Sequence, residues 1–219
     1  MHNASKFDTR VSYGLCARLP SETHLNRETA AVALFASSLL LAVALPVMPS
    51  LLDNSDFYGM SINQPGKSLG DYQPPSNGLA IIFFGYRRCG TVCPVQLINL
   101  IELGQRLEGK RVEFLFVTLD PENDTEEALQ QTMERLGDAF RSYRPENLLA
   151  AQKLASSYND FAVKQVGTPE NPLAHSARLH VVTKDFRRRL VYTTPDLNLE
   201  LVEKDLLRLL KDDDSESST

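Results

Sequence analysis

Two cysteines, Cys89 and Cys93, stand with three residues between them in FFGYRRCGTVCPVQL, one residue wider than a redox CxxC. An apolar run leads into the pair and a helix-like run follows it. Thiols placed this way support two chemistries. They can cycle between dithiol and disulfide, or they can form a soft two-thiolate claw for a metal ion. The plain structural reading, two small buried hydrophobes, does not account for two thiols meeting at a helix start. A helix N-terminus presents unpaired N–H groups and partial positive charge, which stabilise a thiolate there. If Cys89 enters the first helical turn, the i, i+4 spacing sets both sulfurs on one side. Arg87 and Arg88 add cationic charge beside Cys89, or act simply as solvated loop charges. The third cysteine, Cys16, lies in a polar leader without a nearby partner and has no assigned role.

A metal on two thiolates needs at least one further donor, and imidazole is the natural one. Beyond the leader the chain has two histidines, His175 and His180, both in ENPLAHSARLHVVT. His180 falls inside an expected strand, on the face opposite Leu179 and Val181, which suits a structural residue. His175 lies in the loop before that strand and is the better placed of the two.

The surrounding elements follow from hydrophobic pattern. LAIIFFGY (79–86) is a short continuous apolar run, as in a strand buried on both faces. A helix is expected from Pro94, since proline suits a first turn. RVEFLFVTLD (111–120) reads as a second buried strand, and Asp124 or Thr125 as the cap of a helix running to Leu136. Residues 146–158 read as another helix, 177–183 and 188–194 as a hairpin, and LNLELVEKDLLRLLK as a closing helix with Leu199, Val202, Leu206 and Leu209 on one face. Strands joined by helices imply parallel pairing, and the hairpin adds antiparallel strands. The expected class is α/β, a thioredoxin-like fold with a central mixed sheet. Cys89 then sits in the loop after the first central strand and Cys93 at the N-terminus of the following helix.

Outside this head (77–211) the chain divides by composition. Residues 1–28 are a polar leader. Residues 29–52 carry no charge, and their apolar core is long enough to span a bilayer as a transmembrane helix. Lys6, Arg10, Arg18 and Arg27 precede it, while the first basic residue after it is Lys67, so the positive-inside rule places the head outside the cytoplasm. Residues 53–76, rich in Asn, Ser, Gly and Pro, read as a tether with a hairpin around SINQPGKSLGDY. Residues 212–219 read as an acidic, disordered tail. The net charge of −5 and the acidic head argue against nucleic-acid binding.

Taken together, FFGYRRCGTVCP, FVTLDPENDT and the pair His175–Ser176 before a strand and hairpin resemble the Sco/SenC family of membrane-anchored copper chaperones. The resemblance covers 79–211, and its three pieces occur in order on the expected elements. It implies that Cys89, Cys93 and His175 are copper ligands, and that Asp120 occupies an acidic position near the site. Asp120 also reads as a turn-starting residue before Pro121. Gly90 and Thr91 replace the Pro and Asp common inside the family's motif, Arg87 and Arg88 stand where Thr-His is common, and Ala174 stands where Asp is frequent. The donor set agrees with copper: two thiolates and an imidazole are soft, Cu(I) accepts three-coordination, and zinc prefers a fourth ligand.

The resemblance implies a metallochaperone rather than an enzyme. Its partners would be a cuproprotein acceptor such as cytochrome c oxidase subunit II, a thiol reductant and the membrane, with no nucleic acid. The competing expectation is a membrane-tethered thiol–disulfide oxidoreductase reducing partner cysteines. A third is a redox or copper sensor. The leader's mixed charge is a poor transit peptide, which points to a bacterial inner membrane with the head in the periplasm.

Overall fold

Seven consecutive residues, Leu79–Gly85, are buried without interruption and form the spine of the domain. The structure is a computed structural model and describes residues 32, 34–38, 57–164 and 173–216, with side chains through 213. In chain order its elements are β1 (Met60–Pro65), β2 (Leu79–Gly85), α1 (Val92–Arg106), β3 (Val112–Thr118), α2 (Glu126–Leu136), β4 (Phe140–Tyr143) and α3 (Leu148–Ser157). There follow β5 (Ala162–Lys164), β6 (Leu173–His175), β7 (Leu179–Val182), β8 (Arg187–Tyr192) and α4 (Leu199–Glu216).

The main sheet has six strands in the order β1-β8-β7-β2-β3-β4. β2 pairs in parallel with β3, and β3 with β4, each joined through a helix. β7 runs antiparallel to β2, with Ile82 opposite His180, and β8 runs antiparallel to β7. The mixed α/β sheet, the parallel β2–β3 pair and the β7–β8 hairpin are therefore as expected. β5 and β6 form a separate two-stranded sheet. The core is continuous around β2 and β3, and includes Leu129 and Met133 of α2, Leu154 of α3, and Val202, Leu206 and Leu209 of α4.

Three expectations are corrected. First, residues 60–76 of the expected tether are packed into the domain, and the expected hairpin is reduced to one antiparallel bridge between Leu69 and Tyr72. β1 pairs with β8, Gly66 donates to the Phe186 carbonyl at 2.8 Å, and Leu69 is fully buried. The segment is polar because β1 is an edge strand held largely by backbone bonds and by Asp205, whose carboxylate accepts from the N–H groups of Tyr58 (3.1 Å) and Gly59 (2.8 Å). Second, α1 starts at Val92 rather than Pro94. Pro94 is its third residue, where a missing N–H breaks no intrahelical bond. Third, α4 continues to Glu216, into the segment expected to be disordered.

The chain separates into two units, Met1–Asn54 and Ser55–Thr219. In the first, residues 32 and 34–38 are helical, and Val32, Leu34 and Phe35 are exposed. The rest of the expected leader and anchor, Cys16 included, lies outside the described residues. Among the described residues no helix is long and apolar enough to cross a membrane.

Candidate metal centre

β2 delivers the chain to the centre at its C-terminal end. Beyond Gly85 the chain turns, with the Cys89 N–H donating to the Tyr86 carbonyl at 3.1 Å, and it re-enters regular structure at α1. Cys93 is the second residue of α1, so its sulfur sits at the helix N-terminus as expected. It packs directly over Gly85: a Cβ at that position would lie 2.8 Å from Cys93 Sγ and 3.0 Å from the Phe116 ring. The absent side chain at 85 is what lets the sulfur rest on the strand.

The loop is tied to β3 by two carboxylates. Thr125 caps α2 by accepting from the Ala128 N–H at 3.3 Å. That leaves Asp124 free to turn inward, where it accepts from the Arg87 N–H (3.1 Å) and the Thr118 hydroxyl (2.6 Å). Asp120 serves both readings given to it. Its carbonyl accepts turn bonds from Asn123 and Asp124, and its carboxylate accepts from the Arg88 guanidinium at 3.3 Å. Arg88 thus has its ion-pair partner on the rim, in Asp120.

His175 arrives from the other side. It ends β6, where Ala162 of β5 is its antiparallel partner, so it lies on a short strand rather than in a free loop. Its Nε2 is 3.3 Å from Cys89 Sγ and 3.3 Å from Cys93 Sγ. The three ligand atoms lie within 4.8 Å of one another, and all three residues are buried. His175 Nδ1–H donates to the Ser176 carbonyl at 2.7 Å. That bond sets the tautomer and leaves the Nε2 lone pair facing the sulfurs. Tyr86 stands edge-on to the imidazole at 5.6 Å between centroids, and its hydroxyl donates to the Leu173 carbonyl at 3.1 Å, fixing the start of β6. Burial, then the charge of Cys89, push the Tyr86 hydroxyl up to about 12, so it remains a neutral donor.

The sulfurs are hydrogen-bonded to each other. The hydrogen bond from Cys93, opposed by burial and helped by Thr91, holds the Cys89 thiol well below its usual value. The Cys93 thiol is pushed up, first by its bond to Cys89 and then by burial. A bound cation would displace the proton that remains on the pair.

His180 is not part of this cluster. It is buried between the rings of Phe84 (5.9 Å) and Tyr158 (5.5 Å), and its Nε2–H donates to Asp160 at 3.2 Å. Burial holds its pKa below the ordinary histidine value, so it is neutral. The structural role expected for it is what the fold shows. Gly85, Asp124, Asp160 and Ser176 contribute to the site without having been singled out for it. Gly85 and Ser176 lay within quoted motifs, whereas Asp160 follows a helix end with no pattern of its own.

With two soft sulfurs and one imidazole converging in a buried, three-donor arrangement, the centre can hold a soft cation. The same two sulfurs lie within 4.8 Å of each other, and a disulfide between them would remove both thiolates. A family model described as SCO1/SenC matches residues 60–211. A SCO2-like protein of Rickettsia conorii is 31% identical over 64 residues, which is 28% of this chain and 31% of that protein, so the match spans about a third of the relative's length. The solution structure of apo Sco1 from Thermus thermophilus superposes with a TM-score of 0.59 at 27% identity, covering 72% of this chain and 99% of that one. The copper-bound ScoI of Bradyrhizobium japonicum shares the fold with a TM-score of 0.53 at 23% identity, over 61% of this chain and 86% of its own. The element order and the family match over β1 to α4 agree, and the chain belongs to the SCO1/SenC family.

Proposed function

We propose that this protein is a membrane-tethered copper chaperone that binds Cu(I) through Cys89, Cys93 and His175 and passes it to the dinuclear copper centre of cytochrome c oxidase subunit II. The observation that carries the reading is the convergence of two sulfurs and one Nε2 within 4.8 Å in a buried setting. A dithiol enzyme has no need of an imidazole held against both sulfurs, and Cu(I) is satisfied by this set without a fourth ligand. Copper is the cargo here. The two sulfurs supply charged donors as the pair loses its remaining proton to the entering ion, and the Ser176 carbonyl keeps the His175 lone pair aimed inward. Family membership supports delivery to an oxidase, and the uncharged stretch 29–52 supports a tether with the head outside the cytoplasm.

The test is transfer. Cu(I)-loaded protein is mixed with the copper-free, reduced soluble domain of an oxidase subunit II, the two proteins are separated, and the copper content of each is measured. The reading requires stoichiometric transfer that fails for His175→Ala. If no copper moves, while the metal-free reduced protein rapidly reduces the disulfide of the oxidised domain in a parallel assay, the thiol–disulfide oxidoreductase replaces the chaperone.

A further inference from the structure

Behind His175 lies a chain of hydrogen bonds that the ligand set alone does not explain. His175 Nδ1–H is held by the Ser176 carbonyl at 2.7 Å, so the ring points wherever Ser176 points. The Ser176 hydroxyl donates to Asp160 Oδ1, and the same hydroxyl accepts from the Arg178 N–H at 3.2 Å. Asp160 is almost fully buried. It also accepts from its own neighbour, the Phe161 N–H (2.7 Å), and from His180 Nε2–H (3.2 Å). Its own N–H donates to the Ala155 carbonyl at 2.9 Å, which fixes it to the end of α3.

A buried carboxylate is costly unless its oxygens are satisfied. Here three donors satisfy it, and the hydrogen bonds from His180 and Ser176 outweigh the burial that would otherwise raise its pKa, so it stays ionised. His180 is locked in turn by Phe84 and Tyr158, both in the core. The result is an anion fixed between α3 and β7, with Oδ1 shared by the Phe161 N–H and the hydroxyl of Ser176, the residue that holds the imidazole. We propose that Asp160, backed by His180, is a positioning residue for His175, acting through Ser176 to hold Nε2 at equal distance from both sulfurs. This rests on the copper reading for its consequence, but the positioning itself is a property of the metal-free protein.

The experiment compares the reduced full chain with Asp160→Ala and Ser176→Ala, each checked for an intact melting transition. Three quantities are read: Cu(I) affinity by competition with a chromogenic chelator, the nitrogen shell in X-ray absorption, and the ring tautomer of His175 by nitrogen NMR of the metal-free protein. Loss of an outer-shell partner costs about tenfold to a hundredfold in metal affinity. Asp160→Ala is expected to fall in that range, with both sulfurs still bound and the nitrogen shell weakened. Ser176→Ala is expected to change in the same direction by less. In both, the metal-free His175 should lose its single Nδ1-protonated form. A merely structural Asp160 would lower the melting temperature and leave tautomer and nitrogen shell unchanged. Parent-like affinity, nitrogen shell and tautomer in both folded variants would overturn the proposal. If Asp160→Ala does not fold, Ser176→Ala decides alone. If the parent takes up no copper, the functional reading fails, and the tautomer in the metal-free variants still decides the positioning.

Discussion

The sulfur ligands and the imidazole reach the same point from regions built in different ways. Cys89 and Cys93 hang from the junction of β2 and α1, where seven buried residues pair with β3 on one side and β7 on the other. Backbone ladders and a continuous core hold them. His175 ends a strand of three residues whose ladder partner among the described residues is another three-residue strand, β5. Side-chain bonds make up the difference: Tyr86 to the Leu173 carbonyl, Gln96 of α1 to the Ala177 carbonyl, and Asp160 to Ser176. The sulfurs thus belong to the core, whereas the imidazole is set in place against it. Under the proposed function, a centre that must release its ion benefits from one donor held more lightly than the other two, and that part falls to His175.

This contrast predicts an ordered set of effects. Replacing either sulfur is the most severe. Cys89→Ser or Cys93→Ser should lower Cu(I) affinity by about a thousandfold or more, roughly 4 kcal/mol, in a chelator competition under reducing conditions. An equal, small loss for both would contradict a two-thiolate claw. Next is the strand beneath Cys93. Gly85→Ala places a methyl 2.8 Å from the sulfur and 3.0 Å from Phe116, both in the core. Overpacking of this kind costs about 1–3 kcal/mol, to be read from chemical denaturation, and copper affinity should fall with it. A stable Gly85→Ala variant with parent affinity would show that the sulfur side is less rigid than described.

The His side should give smaller numbers. His175→Ala leaves both thiolates and should reduce Cu(I) affinity by at least about tenfold, roughly 1.4 kcal/mol, while reduction of a model disulfide stays near the parent rate. A parent-like affinity would remove His175 from the ligand set.

Mild acid gives the smallest effect. His180 has a folded-state pKa below its ordinary value of 6.5, because burial outweighs the attraction of Asp160, and the charges of Arg188 and Arg178 add to the lowering. Protons therefore bind the unfolded chain more readily, and the stability contributed by neutral His180 is lost as pH falls below about 6.5. Melting temperature should decline over that range, and His180→Phe should flatten the decline. An unchanged pH profile in His180→Phe would show that His180 does not carry it.

The same contrast explains what was legible in the sequence. β2 and β3 are uniform apolar runs, and α2 carries Leu129, Met133 and Leu136 at helical spacing, so pattern alone locates them. Cys89 and Cys93 were legible because their spacing and place at a strand end are themselves the signal. β1, β4 and β6 were not. β1 is a polar edge strand, β4 is the four-residue FRSY, and β6 is only LAH. Such strands exist because a neighbour offers unpaired backbone groups, and one sequence holds no trace of that. Asp160 was invisible for a similar reason: its partners, Ser176 and His180, are 16 and 20 residues away and meet it only after β7 has joined the sheet.

The central claim is a three-donor, redox-gated copper site, and metal stoichiometry tests it most directly. The reduced full chain, offered copper and zinc together, should retain one Cu(I), and X-ray absorption should show two sulfurs and one nitrogen. Oxidation to the Cys89–Cys93 disulfide should abolish uptake, and a thiol reductant should restore it. A stoichiometric zinc site in place of copper, or no metal in the reduced protein, would contradict the account.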